Sequence, residues 1–206
     1  MNGNLKIKVC GTRETENIKD ITTLPIDYIG FIFYGKSARY VDSVINVAIP
    51  STIKKVGVFV NASLDEIKER INSHSLNVIQ LHGDESPDFC LQLKQLGHTV
   101  IKAFGIDDDF EWSSIEKYVD TVDYFLFDTK SKAYGGTGLV FNWKKLEENP
   151  YNKPYFLSGG ISIDNIEEAA TFKDNRLYGL DINSKFEISP ALKNIDLLKQ
   201  ALKIIK

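Results

Sequence analysis

Eight short apolar segments, separated by turns and helix-like stretches, predict an α/β fold, a single-domain (β/α)8 (TIM) barrel that spans residues 1–206. The segments begin roughly 25 residues apart, the length that a strand and a helix with short loops require. Each segment is almost continuously apolar, as is typical of parallel strands covered on both faces. No Pro/Gly/Ser-rich linker divides the chain. An open doubly wound sheet is the alternative, because it has the same alternation of strands and helices.

The strands are expected where residues rich in Val, Ile, Phe and Leu lie between turn signals. In chain order they are Leu5–Val9, Asp27–Phe33, Lys55–Val60, Asn77–Leu81, Thr99–Phe104, Tyr124–Phe127, Pro154–Leu157 and Leu177–Asp181. A capping box of Ser63 and Glu66 begins the first of four indicated helices, and Ser86 caps the second. These helices are Ser63–His74, Pro87–Leu96, Ser162–Phe172 and Pro190–Ile205. Helices after the first, second and fifth strands have less clear patterns.

Composition and charge exclude several classes of function. The net charge is −3, and lysines and arginines are scattered rather than gathered into a basic stripe, so nucleic-acid binding is not indicated. No apolar run reaches the ~18 residues of a membrane span, and the N-terminus lacks the apolar segment of a secretory signal. The two cysteines, Cys10 and Cys90, lack metal-type spacing and need not be paired. We therefore expect a cytoplasmic protein.

The first strand ends at Cys10, and in either fold ligands bind at the C-terminal ends of the strands. Successive side chains on a strand alternate between faces, and Ile7 and Val9 suit the helix-covered outer face. Lys8 and Cys10 should therefore point into the barrel. An ammonium group beside a thiol stabilises the thiolate, so Lys8 is expected to lower the Cys10 pKa. The alternative is that Cys10 is only a small buried hydrophobic residue.

The sixth predicted strand stops at a carboxylate, Asp128, and opens into a glycine-rich loop that ends in Gly135–Gly138. A buried strand holds such an acid in place, and glycines let backbone N–H groups approach a ligand closely. Asp128 and this loop are therefore candidates for a functional site. The simpler alternative is a strand followed by a long turn that contains an incidental aspartate.

Two further strand ends have candidate binding residues. Arg39 follows the second strand, and its planar guanidinium group can hold a carboxylate by two hydrogen bonds, although a loop arginine is usually only solvated. His82 follows the fourth strand. We expect this histidine to be a neutral, hydrogen-bonded wall of the site rather than a catalyst.

The loops after the seventh and eighth strands have the small residues that suit a phosphate site. Gly159 and Gly160 follow the seventh strand directly before a helix, and Asn183 and Ser184 follow the eighth. Free N–H groups and the positive end of a helix dipole attract a phosphate. In barrels, these two loops are the usual phosphate site.

Seven collinear motifs, which span almost the whole chain, resemble the phosphoribosylanthranilate isomerase family of tryptophan biosynthesis. They are KVCG (Lys8–Gly11), GFIFYGKSARY (Gly30–Tyr40), KVGVFVN (Lys55–Asn61), VIQLHGDE (Val78–Glu85), FDTKSKAYGGTG (Phe127–Gly138), FLSGGI (Phe156–Ile161) and LDINSKFE (Leu180–Glu187). The resemblance implies an isomerase that converts phosphoribosylanthranilate to 1-(o-carboxyphenylamino)-1-deoxyribulose 5-phosphate by an Amadori rearrangement. It also implies that the enzyme uses no cofactor and no metal.

By the same resemblance, Cys10 is the general base and Asp128 the general acid. Asp128 would protonate the ring oxygen of the sugar as the ring opens, and Cys10 would take a proton from the adjacent carbon. The acid must hold its proton near neutral pH, and the apolar strand around Asp128 favours the protonated form.

The other matched residues would bind the substrate. Arg39 would hold the anthranilate carboxylate, while Lys8, His82 and Asp181 would line the site. Gly136 and its loop neighbours would lie along the ribose, as a flap that excludes water.

The phosphate end of the substrate is where this chain departs most from the family's pattern. After the eighth strand, Lys185 and Ala191 stand where the family commonly has glycines, and Asn194 stands where it has an acid. The phosphate contacts in this segment are therefore left open by the resemblance. The residues that would surround the phosphate are Gly159, Gly160, Asn183 and Ser184.

Two alternative functions remain open from the residues alone. Another phosphosugar enzyme of the same barrel type, an indole-glycerol-phosphate synthase-like lyase or an epimerase, would be expected to use a lysine acid or metal-binding histidines. A non-catalytic ligand-binding barrel would not need Cys10 and Asp128. The expected partner is a small phosphosugar that bears an anthranilate carboxylate, with no nucleic acid and no membrane. The protein is expected to be a monomer or a homodimer.

Overall fold

The computed structural model describes residues 5–130 and 142–205, and its centre is a closed barrel of eight parallel strands. The strands are β1 Lys6–Val9, β2 Tyr28–Ile32, β3 Lys54–Phe59, β4 Val78–Leu81, β5 Thr99–Ile106, β6 Tyr124–Thr129, β7 Tyr155–Leu157 and β8 Leu177–Ile182. They neighbour one another in sequence order, and β8 pairs with β1 to close the ring. The predicted (β/α)8 barrel is confirmed, and the open doubly wound sheet is wrong.

Short helices connect most of the strands. They are α1 Thr15–Thr22, α2 Leu64–His74, α3 Pro87–Gln95, α4 Ile166–Thr171 and α5 Ile195–Ile205, with 3-10 helices at Trp112–Tyr118, Trp143–Glu148 and Ser184–Phe186. Ser63 and Ser86 cap α2 and α3 as predicted, each accepting a hydrogen bond from a backbone N–H three residues later. Residues 33–53 connect β2 to β3 without a helix. None of the helices in the described ranges is long and apolar enough to cross a membrane.

The segment after β8 differs from the prediction. We expected a helix from Pro190 onward, but α5 begins at Ile195. Before it, two short strands, β9 (Glu187–Ser189) and β10 (Leu192–Lys193), form an antiparallel hairpin. Ala191 in the turn has a φ of +71°, a left-handed conformation that an α-helix does not contain. The residues from 187 to 193 therefore form a hairpin beside the barrel mouth.

The barrel has an outer and an inner apolar core. The outer core lies between the strands and the helices and includes Ile7 and Val9. The inner core fills the barrel and includes Cys10 and Phe156. The alternation predicted for β1 is confirmed, since Cys10 belongs to the inner core and Lys8, on the same face of the strand, is fully buried.

Tyrosine side chains fill the N-terminal end of the barrel. Tyr28 and Tyr124 begin β2 and β6, and Tyr178 lies near the start of β8. The hydroxyl oxygens of Tyr28 and Tyr178 are 2.9 Å apart, and the rings of Tyr124 and Tyr178 have centroids 4.5 Å apart. These side chains close the N-terminal end of the barrel. A ligand would therefore bind at the opposite end, where the strands have their C-termini.

Candidate active site

A buried ion pair joins β1 and β8 inside the barrel. Lys8 and Asp181 are direct partners in the strand register, and Lys8 Nζ is 2.8 Å from Asp181 Oδ1. Both side chains are almost completely buried. Burial lowers the pKa of Lys8, but the Asp181 carboxylate and, in its thiolate form, Cys10 raise it more, so the ammonium form is favoured. The charges of these two predicted substrate-binding residues therefore offset each other.

Cys10 lies directly after β1, and its side chain is buried. A Cβ atom at Gly30 of β2 would come within 2.7 Å of Cys10 Sγ, so the thiol occupies space that only a glycine leaves open. Burial raises the Cys10 pKa, Lys8 lowers it, Asp181 raises it, and Lys193 lowers it more weakly. The net shift is upward. Lys8 thus contributes the expected lowering, but burial of the thiol outweighs it, and the negative charge of Asp181 opposes it further.

Asp128 lies within β6 rather than after it, opposite Gly105 of β5. Its Oδ1 accepts a hydrogen bond from Thr129 N at 2.8 Å, and its Oδ2 is 3.5 Å from His82 Nε2. The side chain is 13% exposed, so water and a ligand can reach it. Burial and, less strongly, the charge of Asp128 raise the pKa of Asp181. The predicted acid, Asp128, is therefore close enough to Asp181 of β8 for their charges to interact.

His82 lies between Gln80 and Asp128. Gln80 Nε2 is 3.1 Å from His82 Nδ1. When Gln80 donates this bond, Nδ1 is the acceptor and the ring proton is on Nε2, which faces Asp128. Lys102 Nζ donates to Gly83 O at 2.7 Å and so holds the turn that follows His82. This geometry fits the hydrogen-bonded wall expected for His82.

A cleft of about 460 Å³ opens beside this histidine at the ends of β4, β5 and β6. His82, Asp128 and Thr129 line it from the barrel, and Lys117 and Tyr118 line it from the 3-10 helix after β5. The predicted acid therefore borders open space on one side.

The loop after β7 differs from the expected phosphate site in one respect. Gly159 and Gly160 have φ values of +86° and +65°, and a side chain at Gly159 would collide with Thr129 and Asp128. Helix α4 begins only at Ile166, although we expected a helix from residue 162. The glycine pair therefore does not directly precede a helix N-terminus, and that part of the prediction is wrong.

Asn183 and Ser184 follow β8 as predicted, and Ser184 begins a 3-10 helix. The Asn183 side chain is already engaged, because its Oδ1 accepts a hydrogen bond from Lys193 Nζ at 2.7 Å. Lys185, one of the departures from the family's pattern, is exposed. The prediction for Gly136 falls on residues 131–141, which lie outside the described part of the chain.

Arg39, in the loop after β2, is bound by a residue that the sequence analysis missed. Arg39 Nη2 is 2.7 Å from Glu187 Oε2, and Lys193 Nζ is 2.7 Å from Glu187 Oε1. Glu187 belongs to the LDINSKFE motif, and that position was the available signal for its importance. Lys193 was expected in a helix, where a lysine is usually solvated, so its burial had no signal in the sequence.

The family model described as N-(5'phosphoribosyl)anthranilate (PRA) isomerase matches residues 7–204. The chain belongs to this family. It is 44% identical to the N-(5'-phosphoribosyl)anthranilate isomerase of Parabacteroides distasonis, over 97% of this chain and 92% of that relative.

Two solved structures of the family have the same fold. The phosphoribosyl anthranilate isomerase from Thermotoga maritima matches with a TM-score of 0.84 and 31% identity, over 98% of both chains. A phosphoribosyl anthranilate isomerase in complex with reduced 1-(o-carboxyphenylamino)-1-deoxyribulose 5-phosphate matches with a TM-score of 0.80 and 28% identity, over 98% of both chains. The resemblance found in the sequence motifs is thus confirmed, and the chain is an isomerase of tryptophan biosynthesis.

Proposed function

We propose that Cys10 and Asp128 are the base and the acid with which this chain isomerises phosphoribosylanthranilate. The observation that carries the proposal is their arrangement: an inward-facing thiol after β1 and a partly exposed carboxylate in β6, on different sides of one barrel mouth. An acid and a base on two sides of a substrate are what an Amadori rearrangement requires, because one proton is added and another is removed.

In the first step, protonated Asp128 donates to the furanose ring oxygen. The bond between this oxygen and C1 of the sugar then breaks, and the nitrogen lone pair forms a C1–N double bond, which gives an iminium ion. In the second step, Cys10 removes the proton from C2. The C–H electrons form a C1–C2 double bond and neutralise the nitrogen, and the resulting enolamine tautomerises to the ketone. All groups in these steps belong to the protein or the substrate.

The raised pKa of Cys10 suits this order of events. Burial keeps the thiol protonated before the ring opens. The iminium ion then adds a positive charge close to Cys10, and an opposite charge within a few ångströms favours the thiolate. The same positive charge makes the C2–H bond more acidic. The thiol therefore releases its proton to solvent water as the ring opens, and the resulting thiolate takes the C2 proton.

The remaining contacts of the substrate are part of the proposal. Arg39 would hold the anthranilate carboxylate, and His82, with the Lys8–Asp181 pair, would line the sugar. Gly136 would lie along the ribose. The phosphate would bind near Gly159, Gly160, Asn183 and Ser184, through backbone N–H groups rather than the engaged Asn183 side chain.

The proposed setting is the cytoplasm, where the phosphosugar is the partner. Cys10 and Cys90 are both free and buried, as suits a reducing compartment. Because the proposed acid and base come from one chain, a monomer or a homodimer can each carry the reaction.

The experiment is a fluorescence assay of phosphoribosylanthranilate consumption by Cys10→Ala and Asp128→Asn. We expect each kcat to fall by roughly 10²- to 10⁴-fold, because each change removes one proton-transfer group. Both variants should still bind reduced 1-(o-carboxyphenylamino)-1-deoxyribulose 5-phosphate, the reduced product analogue. Their circular dichroism spectra should match that of the wild type. Full activity in either variant would remove that residue from its role.

The chain offers a matched control for each variant. Cys90→Ala also removes a buried free thiol, and Asp84→Asn also removes a carboxylate near the barrel mouth, although Asp84 is exposed. Both controls should keep the wild-type turnover. If Cys90→Ala lost as much activity as Cys10→Ala, the effect would be one of packing.

A further inference from the structure

The guanidinium group of Arg39 is held in a fixed orientation by Glu187. Arg39 Nε lies 2.9 and 3.0 Å from the two carboxylate oxygens, and Nη2 lies 2.7 Å from Oε2. The Arg39 side chain is 15% exposed and that of Glu187 only 4%. A bidentate pair with this little exposure is geometrically specific, unlike a solvated surface pair.

Glu187 itself is fixed by further contacts. Its Oε1 accepts a hydrogen bond from Lys193 Nζ at 2.7 Å and one from Ala191 N at 3.1 Å. Lys193 Nζ also donates to Asn183 Oδ1 at 2.7 Å. Since the hairpin β9–β10 supplies both Glu187 and Lys193, its fold determines where Arg39 points.

One edge of the Arg39 guanidinium group does not contact Glu187 and can bind a ligand. Glu187 takes the edge formed by Nε and Nη2. The opposite edge consists of Nη1 and the second N–H of Nη2. Within the described residues, Nη1 is the donor of none of the Arg39 hydrogen bonds. A guanidinium group has donors for two carboxylates, one on each edge. Binding of a second carboxylate therefore does not require Glu187 to leave.

The position and the charge of this cluster suit a substrate carboxylate. The Arg39 side chain crosses Gly11, the residue after Cys10, where an added Cβ would be 2.6 Å from Arg39 Cδ. Burial lowers the pKa of Lys193 to about 8, so Lys193 is still mostly charged at neutral pH. Arg39 and Lys193 then bring two positive charges and Glu187 one negative charge, which leaves the cluster one net positive charge to attract a monoanion.

We propose that Glu187 is the positioning residue that orients Arg39 toward the carboxylate of the substrate, with the Nη1–Nη2 edge as the binding edge. The inference rests on the proposed function, in which Arg39 holds the anthranilate carboxylate. Glu187 acts through Arg39 and does not touch the reacting atoms. It determines specificity for a carboxylate-bearing aromatic amine over an uncharged one.

The test is a double-mutant cycle with Glu187→Gln, Arg39→Ala and the double variant. Glutamine keeps the size of the side chain and one acceptor oxygen but loses the bidentate charge. We expect KM for phosphoribosylanthranilate to rise by about tenfold in Glu187→Gln, the usual effect of a lost charge-assisted hydrogen bond, while kcat falls less. The Glu187→Gln change should add little to Arg39→Ala, because both remove the same contact.

Two inhibitors separate positioning from general damage. Glu187→Gln should raise the inhibition constant of the reduced product analogue, which has a carboxylate, more than that of inorganic phosphate, which has none. Glu14→Gln is the matched control, because Glu14 pairs with Arg13 on the surface, and it should leave both inhibition constants unchanged. Thermal unfolding checks the fold of each variant: a single cooperative transition is expected in both, at a lower temperature for Glu187→Gln.

Three results would overturn the inference. A lower KM in Glu187→Gln would show that Glu187 competes with the substrate for Arg39. Equal weakening of both inhibitors would show a structural effect, and additive effects in the cycle would show that Glu187 does not act through Arg39. Failure of the proposed function would look different, since the wild-type protein would then not consume phosphoribosylanthranilate.

Discussion

The two sides of the barrel mouth differ in how completely their charges are paired. On the side of β1, β8 and the hairpin, Lys8 lies 2.8 Å from Asp181, and Glu187 binds Lys193 and Arg39. Of these five side chains only Arg39, at 15%, is more than 5% exposed. On the side of β4 and β6, Asp128 lies 3.5 Å from His82, both side chains are partly exposed, and a cleft opens beside them. We call Lys8, Asp181, Arg39, Glu187 and Lys193 the paired wall, and Asp128 with His82 the open wall.

The difference indicates that the two walls have different relations to stability. Charges on the paired wall are desolvated, so each one needs its partner, and removal of a partner should affect the fold as well as the activity. The neighbouring Lys102 and Glu85 form a separate buried ion pair at 3.3 Å. Asp128 and His82, the residues of the open wall, keep contact with water. Changes there should affect the chemistry with little effect on folding.

The largest effect is expected for Lys8→Met, which breaks the buried ion pair of the paired wall. The change leaves the Asp181 carboxylate buried without its cation, which typically costs about 3–5 kcal/mol of the free energy of unfolding. Urea denaturation measures this loss. Lys6→Met is the control on the same strand, because Lys6 pairs with Asp27 where both side chains are about one-third exposed, and it should cost less than ~1 kcal/mol. Equal losses in the two variants would remove the distinction between buried and exposed pairs.

An intermediate effect is expected for His82→Gln on the open wall. The change removes the ring nitrogen that lies 3.5 Å from Asp128 Oδ2, so kcat should fall about tenfold, which corresponds to roughly 1.4 kcal/mol on the barrier. The free energy of unfolding should stay within ~1 kcal/mol of the wild-type value. His98→Gln, at the turn before β5, is the control and should keep the wild-type kcat. A loss of stability as large as that of Lys8→Met would contradict the proposed contrast between the walls.

The smallest effect is the pH dependence of stability that comes from Glu187. Burial opposes its ionisation, but Arg39 and Lys193 hold its pKa below the ordinary value of 4.5. The unfolded chain therefore binds this proton more readily than the folded one. The stability that the Glu187 charge contributes is fully present above pH ~4.5 and is lost as the pH falls through the lower folded-state pKa.

Melting temperatures of the wild type and of Glu187→Gln, measured between pH 3 and pH 7, test this dependence. The wild type should be more stable at pH 7. The difference in melting temperature should narrow below pH ~4.5, because the unfolded chain then binds this proton more readily than the folded one. Glu14→Gln should follow the wild type throughout. A difference that stays constant over this range would show that the charge of Glu187 is not what stabilises the paired wall.

Local patterns in the sequence were enough to predict the barrel and the two main candidates. Apolar composition and spacing indicated the eight strands, because these signals do not depend on distant contacts. The alternation of side chains along a strand indicated that Lys8 and Cys10 share one face. Asp128 stood out because it interrupts an apolar strand. The resemblance to the family then supplied the reaction.

The tertiary structure decided how the charges pair, because pairing depends on residues that are far apart in the sequence. Lys8 meets Asp181 only when β8 closes the barrel onto β1, and burial of Cys10 inside the closed barrel is the main reason that its pKa is raised rather than lowered. Arg39 has its orientation from Glu187, which lies in a hairpin that resembled the start of a helix in sequence. A left-handed turn and a buried ion pair have no period along the chain, so sequence patterns do not reveal them.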